Sequence, residues 1–431
     1  MATESRRTHD HILSRKNVRF HDGTVFDAEA VKASYERQYL RTSPYYTSAP
    51  SNAYERVVAD LIKEVRIVDS HTVAITTHYA RPQQFAIVKI VSPKALTTQN
   101  GNLSRTPVGT GPFRLAKWEG NNITLEAFAE SWHGRPRIGN VRFVIFDSEI
   151  EMMDRVIAGD FDLCTYVTPD YLERLANNPN TKVTRYGGLN TMILGMLMDR
   201  PLIKDPRVRE AIVRATDREG YATKLGRGAA LAAKSVLPPA SDGYDASLSQ
   251  APYDPERARV LLRNAGVPSG SRLRLLYFSP QELWTELAHA VRSDLEKVGL
   301  QIELVPTKGW SDFHAERRKG AHDLHLYQWL VSTPDPERFL APMFDSQSKD
   351  NNYSRLVSPR IDQALAESRK AGDPGKRLQI LSQVNSLVLE EIPAVFLMHR
   401  VGLAGVNTRV QGLTLNLYGL PQDKLATVEI R

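Results

Sequence analysis

The sequence predicts an α/β protein built from more than one lobe, and three observations point to it. RLRLLYF (Arg272 to Phe278), a helical stretch from about Gln281 to Val298, and LQIELV (Leu300 to Val305) read as a strand-helix-strand unit with a very short return. Between Val141 and Cys164 the order is strand (VRFVIF), helix (SEIEMMDRVIAGD) and short strand (FDLC), which suggests a second, parallel crossover unit. A chain of 431 residues is also longer than one simple core organises, so two or three lobes are expected.

The elements follow in order. In RFHDGTVFDAEAVKASYER, Val18 and Phe20 alternate with Arg19, Asp22-Gly23 marks a turn, and Asp27 is suited to cap a helix whose Ala30, Val31, Ser34 and Tyr35 share one face. Glu29 in the first turn complements the helix dipole. The acids therefore have structural roles, and no second histidine follows His21 at the spacing of a zinc-binding helix. EVRIVDSHTVAITT (Glu64 to Thr77) and FRLAKWEGNNITLEAF (Phe113 to Phe128) alternate on either side of turn residues and read as hairpins. Asp205-Pro206 and Asp254-Pro255 each place a capping acid before a proline at the first helical position. A further strand, DLHLYQW, ends at Trp329 and runs into STPDPERFL. The boundary between the halves is expected between Gly195 and Asp205, and the loop-rich LPPASDGYDASLSQAPYD follows it.

Composition excludes several classes. With 42% hydrophobic and 24% charged residues the chain matches ordinary globular domains rather than disordered or fibrous ones. No run approaches the roughly 20 apolar residues of a membrane span. The net charge of +7 is a small surplus of 56 basic over 49 acidic residues. Its densest clusters, Arg6-Arg7 and Arg317-Arg318-Lys319, lack interleaved aromatics, so no nucleic-acid partner is expected. Cys164 is the only cysteine, which excludes an internal disulfide and a multi-cysteine metal site. MATESRRTHDHILSRKN has no apolar run, so this stretch is not a secretory signal.

Seven segments in order carry a resemblance: VRFHDGTVFDAEAV, TPVGTGPFRLAKW, ESWHGRPRIGNVRF, IAGDFDL, DPRVREAIVRATDRE, the helix before VGLQIELV, and WLVSTPDPERFLAPMF. Together they resemble the extracytoplasmic solute-binding proteins of peptide, nickel and opine ABC importers, the oligopeptide-binding family (family 5). The resemblance implies a two-lobed fold of the periplasmic-binding-protein-like type II (cluster C), with an extra subdomain inserted in the first lobe. Mapped here, lobe I comprises 1–18, 107–195 and 400–431, the inserted subdomain 19–106, and lobe II 196–399. It further implies a periplasmic, monomeric binding protein without cofactor. Such a protein captures a peptide, opine or glycoside-like solute by hinge closure and delivers it to an inner-membrane permease.

Two departures from the family stand out. Only 17 residues precede Val18, where relatives have some dozens, so lobe I is expected to lack strands and to expose sheet edges and apolar surface. In peptide-binding relatives the segment after the DLHLYQW strand commonly reads Trp-x-x-Asp-Tyr-x-x-Pro, and its Asp pairs with the peptide ammonium. Here Ser332 stands at that place, and a hydroxyl cannot replace a charge-assisted hydrogen bond. Relatives also often carry Asn at the position of Leu197, expected near the lobe crossing. The expected ligand residues are Trp329, Ser332, Tyr353 and Arg355. Trp329 and Tyr353 read either as stacking walls or as core. Arg355 reads either as a bidentate anion receptor or as a surface arginine.

The alternative is a metal-dependent hydrolase using His314, His322, Asp323 and His325. Strand alternation places His322 and His325 on opposite faces, a poor ligand pair, and no G-x-S-x-G elbow supports a serine hydrolase.

Overall fold

The structure is a computed structural model that describes residues 9–46, 61–78, 88–165, 167–331, 333–348, 350–416 and 425–431. Its largest element follows from near-continuous apolar runs such as NTMILGM and AVFLMHR, which suit strands covered on both faces. Six strands pair in the order Ala230–Ala232, Ala394–Arg400, Asn190–Met196, Leu324–Leu330, Ser271–Phe278 and Leu300–Thr307. The last two are parallel and joined by the helix Glu282–Lys297, as the sequence predicts.

One face of this sheet buries Met192, Leu194, Leu275 and Leu326 among the helices Pro206–Ala215, Pro255–Asn264 and Glu282–Lys297. The other buries Ile193, Leu276, Tyr327 and Phe396 against the helices Trp310–Lys319, Glu337–Phe344, Pro359–Lys370 and Pro374–Glu391. The proline grammar holds in detail: Asp205 accepts the N–H of Arg207 at 2.8 Å, and Asp254 accepts that of Arg257 at 2.9 Å.

A smaller antiparallel sheet runs Leu163–Cys164, Gly402–Asn407 and Thr181–Tyr186, packed on the helices Glu149–Ile157 and Pro169–Asn177. The chain thus leaves the six-stranded sheet at Arg400 and enters the small one at Gly402. A third sheet holds both predicted strands of the second hairpin, Phe113–Glu119 and Asn122–Ala127, with Asn140–Val144 at its edge. Phe143, Ile145 and Ile150 lie exposed on or just after that edge.

The expected crossover between Val141 and Cys164 does not form. Asn140–Val144 pairs with Asn122–Ala127, whereas Leu163–Cys164 pairs with Gly402–Asn407 in another sheet. Apolar periodicity identifies a strand but carries no information about its partner, which is why the reading failed there. Sheet membership also differs from the expected boundaries at two places. His9–Leu13 pairs with Thr72–Thr77 of the first hairpin, and Asn190–Met196 is paired on both sides within the six-stranded sheet.

The opening motif is punctuation. Asp22 accepts hydrogen bonds from the N–H and hydroxyl of Thr24 and from the Ser92 hydroxyl, tying the turn to the start of the helix Pro93–Thr98. His21 Nδ1 faces the N–H of Gly109 at 3.4 Å while Nε2 meets the carbonyl of Gly111 at 3.0 Å, which requires the neutral Nε2–H tautomer. Burial lowers the pKa of His21 in the same sense. Asp27 caps Ala28–Tyr39 by accepting the N–H of Ala30 at 3.0 Å.

Candidate functional site

Two segments connect the six-stranded sheet to the small one, and they run against each other. Residues 187–189 link Tyr186 to Asn190, and Val401 links Arg400 to Gly402. Glycine is required on both. A Cβ at Gly188 would overlap the carbonyl oxygen of Arg400, and one at Gly402 would overlap the ring of Tyr186, its cross-strand neighbour. Val331 donates its N–H to Leu189 O at 3.0 Å, so the loop that follows Trp329 starts beside the first crossing.

Trp329 stands opposite Thr191, one residue into the strand that starts at Asn190. It is half-buried, and its Nε1–H donates to Arg338 O at 2.9 Å. His325, Tyr327 and Trp329 fall on one face by strand alternation. Tyr353 comes in from a distant loop and touches all three rings, with centroids 6.1, 4.9 and 6.3 Å away. Over its ring lies Arg317, whose guanidinium carbon is 3.5 Å from the ring centroid. Tyr353 is buried and locks the row of rings; Trp329 holds the end of that row nearest the crossings. Leu330, next in the chain, is 62% exposed there.

Of the four residues expected to bind ligand, the structure therefore brings Trp329 and Tyr353 together. Ser332 lies outside the described residues. Arg355 sits elsewhere. Its Nη1 donates to Asp199 Oδ2 at 2.6 Å, and the adjoining Ser354 carbonyl accepts the N–H of Met198. Leu197 lies at this same remote end, bonded through its N–H to Asp323 O. From Asn190 to Leu197 the strand travels seven residues at about 3.3 Å each, so neither Leu197 nor Arg355 is near the crossings. The expectation for Leu197 fails because the strand runs away from the crossing rather than along it.

The histidine run is also corrected. His322 and His325 are in contact, their ring centroids 5.3 Å apart and edge to face, because the strand begins only at Leu324 and alternation does not reach back to His322. Asp323 has a structural role instead, accepting from Arg200 Nε at 2.9 Å and from the N–H of Arg274 at 2.8 Å. Half-buried His314 lies against Tyr353. Among the described residues no group of three His, Cys, Asp or Glu could hold a metal ion.

The two rings set a pH dependence. Among the described residues none of their four nitrogens has a hydrogen-bond partner. Burial, with Asp323 opposing and Arg355, Arg317 and Arg200 assisting, drives His322 down to about 4, and burial and His322 push His325 well below its ordinary value. Unfolded, each titrates near 6.5. The folded chain then binds fewer protons in between, so stability is fully present above pH 6.5 and is lost as the pH falls toward 4. The loss is on the order of a few kcal/mol. Urea melts from pH 7 to pH 4.5 are expected to show it, with a shallower slope in His322→Phe; equal slopes would refute the assignment.

Two α/β lobes joined by paired crossing segments, with an aromatic row ending beside them, define a solute-binding protein. The chain belongs to the bacterial extracellular solute-binding proteins, family 5: the family description "family 5 Middle" matches residues 15–351. It is 24% identical over 442 residues to the dipeptide-binding protein of Escherichia coli, covering 96% of this chain and 82% of the relative. It is 25% identical over 441 residues to heme-binding protein A of Haemophilus influenzae, covering 94% and 78%. The solved structure of HbpA2 from Haemophilus parasuis superimposes with a TM-score of 0.90 at 24% identity, covering 100% of this chain and 89% of that one. This is a family of binding proteins rather than enzymes, and the hydrolase reading finds no support in it. Among the described residues no helix is long and apolar enough to cross a membrane.

Proposed function

We propose that this chain is the solute-binding component of an ABC importer, acting as a periplasmic monomer that captures a small peptide or peptide-like solute and presents it to a permease. The lobes divide where the sheets divide: residues 190–400 form the second lobe, and the small sheet with the segments packed on it belongs to the first. The observation that carries this reading is the crossing itself. Two adjacent connections, packed glycine to backbone, let one lobe swing against the other while the aromatic row stays fixed in the second. Closure conveys occupancy to a permease only if solute shifts the population of the closed form. The dipeptide-binding relative supports a peptide as the solute class, and Trp329 supplies a wall for it.

The test is native mass spectrometry of the purified protein, with denaturing release of whatever it retains. A single small solute is expected, and readdition should raise the melting temperature with concentration. Trp329→Ala is expected to weaken retention about tenfold, the scale of a lost aromatic contact and its buried area. A protein that melts cooperatively yet neither retains nor responds to any solute would rule the proposal out.

A further inference from the structure

The sheet that pairs His9–Leu13 and Ile62–Asp69 with Thr72–Thr77 leaves part of its packing uncovered. The helix Ala28–Tyr39 buries Val31 and Tyr35 against Val65, Val73 and Ile75 of that sheet. Ile12, Phe26, Val88 and Ile90 pack on the same cluster yet are only half-buried. Their open side is concave. With Val31 they line a cavity of about 440 Å³ that opens to solvent, a volume within the range of small-molecule sites. Trp132 joins the wall from the segment after the second hairpin, and Leu13, 78% exposed, carries the apolar surface out to the mouth. None of these residues belongs to the crossings or to the aromatic row.

Arg15 is exposed at the rim and is the one charged residue that lines the cavity among the described residues. Its guanidinium carbon lies 4.6 Å from the centroid of the Trp132 ring, and among the described residues no carboxylate or hydrogen-bond acceptor meets it. The ring therefore holds the cation at the mouth without neutralising it. Ser14 beside it is already committed, its Oγ donating to the His71 carbonyl at 3.0 Å.

We propose that this cavity binds an aliphatic carboxylate of medium chain length, with the alkyl chain on the apolar walls and the carboxylate on Arg15. Contiguous apolar surface rimmed by polar groups marks a binding site rather than ordinary exterior. An alkyl chain brings no polar atom against these walls, whereas a peptide would bring N–H and C=O groups that need partners there. One cation at the mouth matches one anion at the end of a chain, and no acid in the lining repels it. The inference rests on this cavity alone and is independent of what the two lobes capture between them.

The test is isothermal titration of the full chain with hexanoate, octanoate and decanoate, with hexanol and octanol as uncharged counterparts. Affinity is expected to rise about fourfold per added methylene, the scale of burying one. Each carboxylate should bind about threefold more tightly than its alcohol, a small factor because Arg15 is exposed. Arg15→Gln should erase that difference and keep the dependence on chain length. Ile90→Trp, which fills the cavity, should abolish binding of acids and alcohols alike; should it fail to fold, Arg15→Gln still decides the assignment. Affinity that does not change with chain length, or a carboxylate preference retained in Arg15→Gln, would overturn the proposal. So would a dimer in the native mass spectrum that persists with decanoate present, since the apolar face would then belong to a second copy of the chain.

Discussion

Gly188→Ala is expected to weaken solute capture about tenfold while the protein still melts as a cooperative unit. The added Cβ meets the carbonyl oxygen of Arg400, a backbone atom that cannot rotate aside as a side-chain tip would. Either the two crossing segments separate or the Leu189 contact with Val331 is lost, and both disturb the position of the loop after Trp329. Overpacking of this kind costs about 1–3 kcal/mol. The penalty starts at the connection between sheets: Gly187 belongs to neither hydrophobic cluster of the six-stranded sheet, and Leu189 on the other side is the first residue through which it reaches a core. A control is available in Gly139→Ala, where the new Cβ would meet nothing within 4 Å. Isothermal titration with the released solute, alongside thermal melts, separates the outcomes: wild-type affinity in Gly188→Ala would show that the crossing tolerates displacement and is not the element that sets lobe geometry.

Much of the scaffold is legible in the sequence because it is written in local chemistry. Asp27, Asp205 and Asp254 announce helix starts, and each accepts the backbone N–H that a capping acid should. The strand-helix-strand unit from Arg272 to Val305 needs only periodicity and a short return to be read. Partner choice is different. Nothing local to VRFVIF or FDLC says that one joins Asn122–Ala127 and the other Gly402–Asn407, since that depends on residues more than 200 positions away in the second case.

The site divides in the same way. Trp329 was visible as the end of a strand, but Tyr353 meets it only because a loop returns across the sheet, and Arg355, two residues on, has already turned away to Asp199. Arg355 occupies a left-handed conformation at φ 55, which marks the bend that takes it there.

The pairing of Asp335 with Arg377 yields the largest expected loss of stability. Arg377→Met removes the only guanidinium that touches Asp335 among the described residues and one of two on Glu337. Glu337 is 1% exposed and Asp335 4% exposed, so water cannot take over the lost charge. Breaking a buried ion pair from one side costs about 3–5 kcal/mol, because the desolvated partner is left behind. Neutralising that partner as well should recover much of the loss: Asp335→Asn in the Arg377→Met background is expected to unfold at higher urea than Arg377→Met alone. The same comparison reports on function. If the network serves to seat the loop beside the crossings, the double variant regains stability without regaining full solute affinity, since the hydrogen bonds that fix Asp335 are still missing. Recovery of both together would mean that the network contributes fold stability alone, and equal stability of Arg377→Met and wild type would mean that these carboxylates are not held by Arg377 in solution.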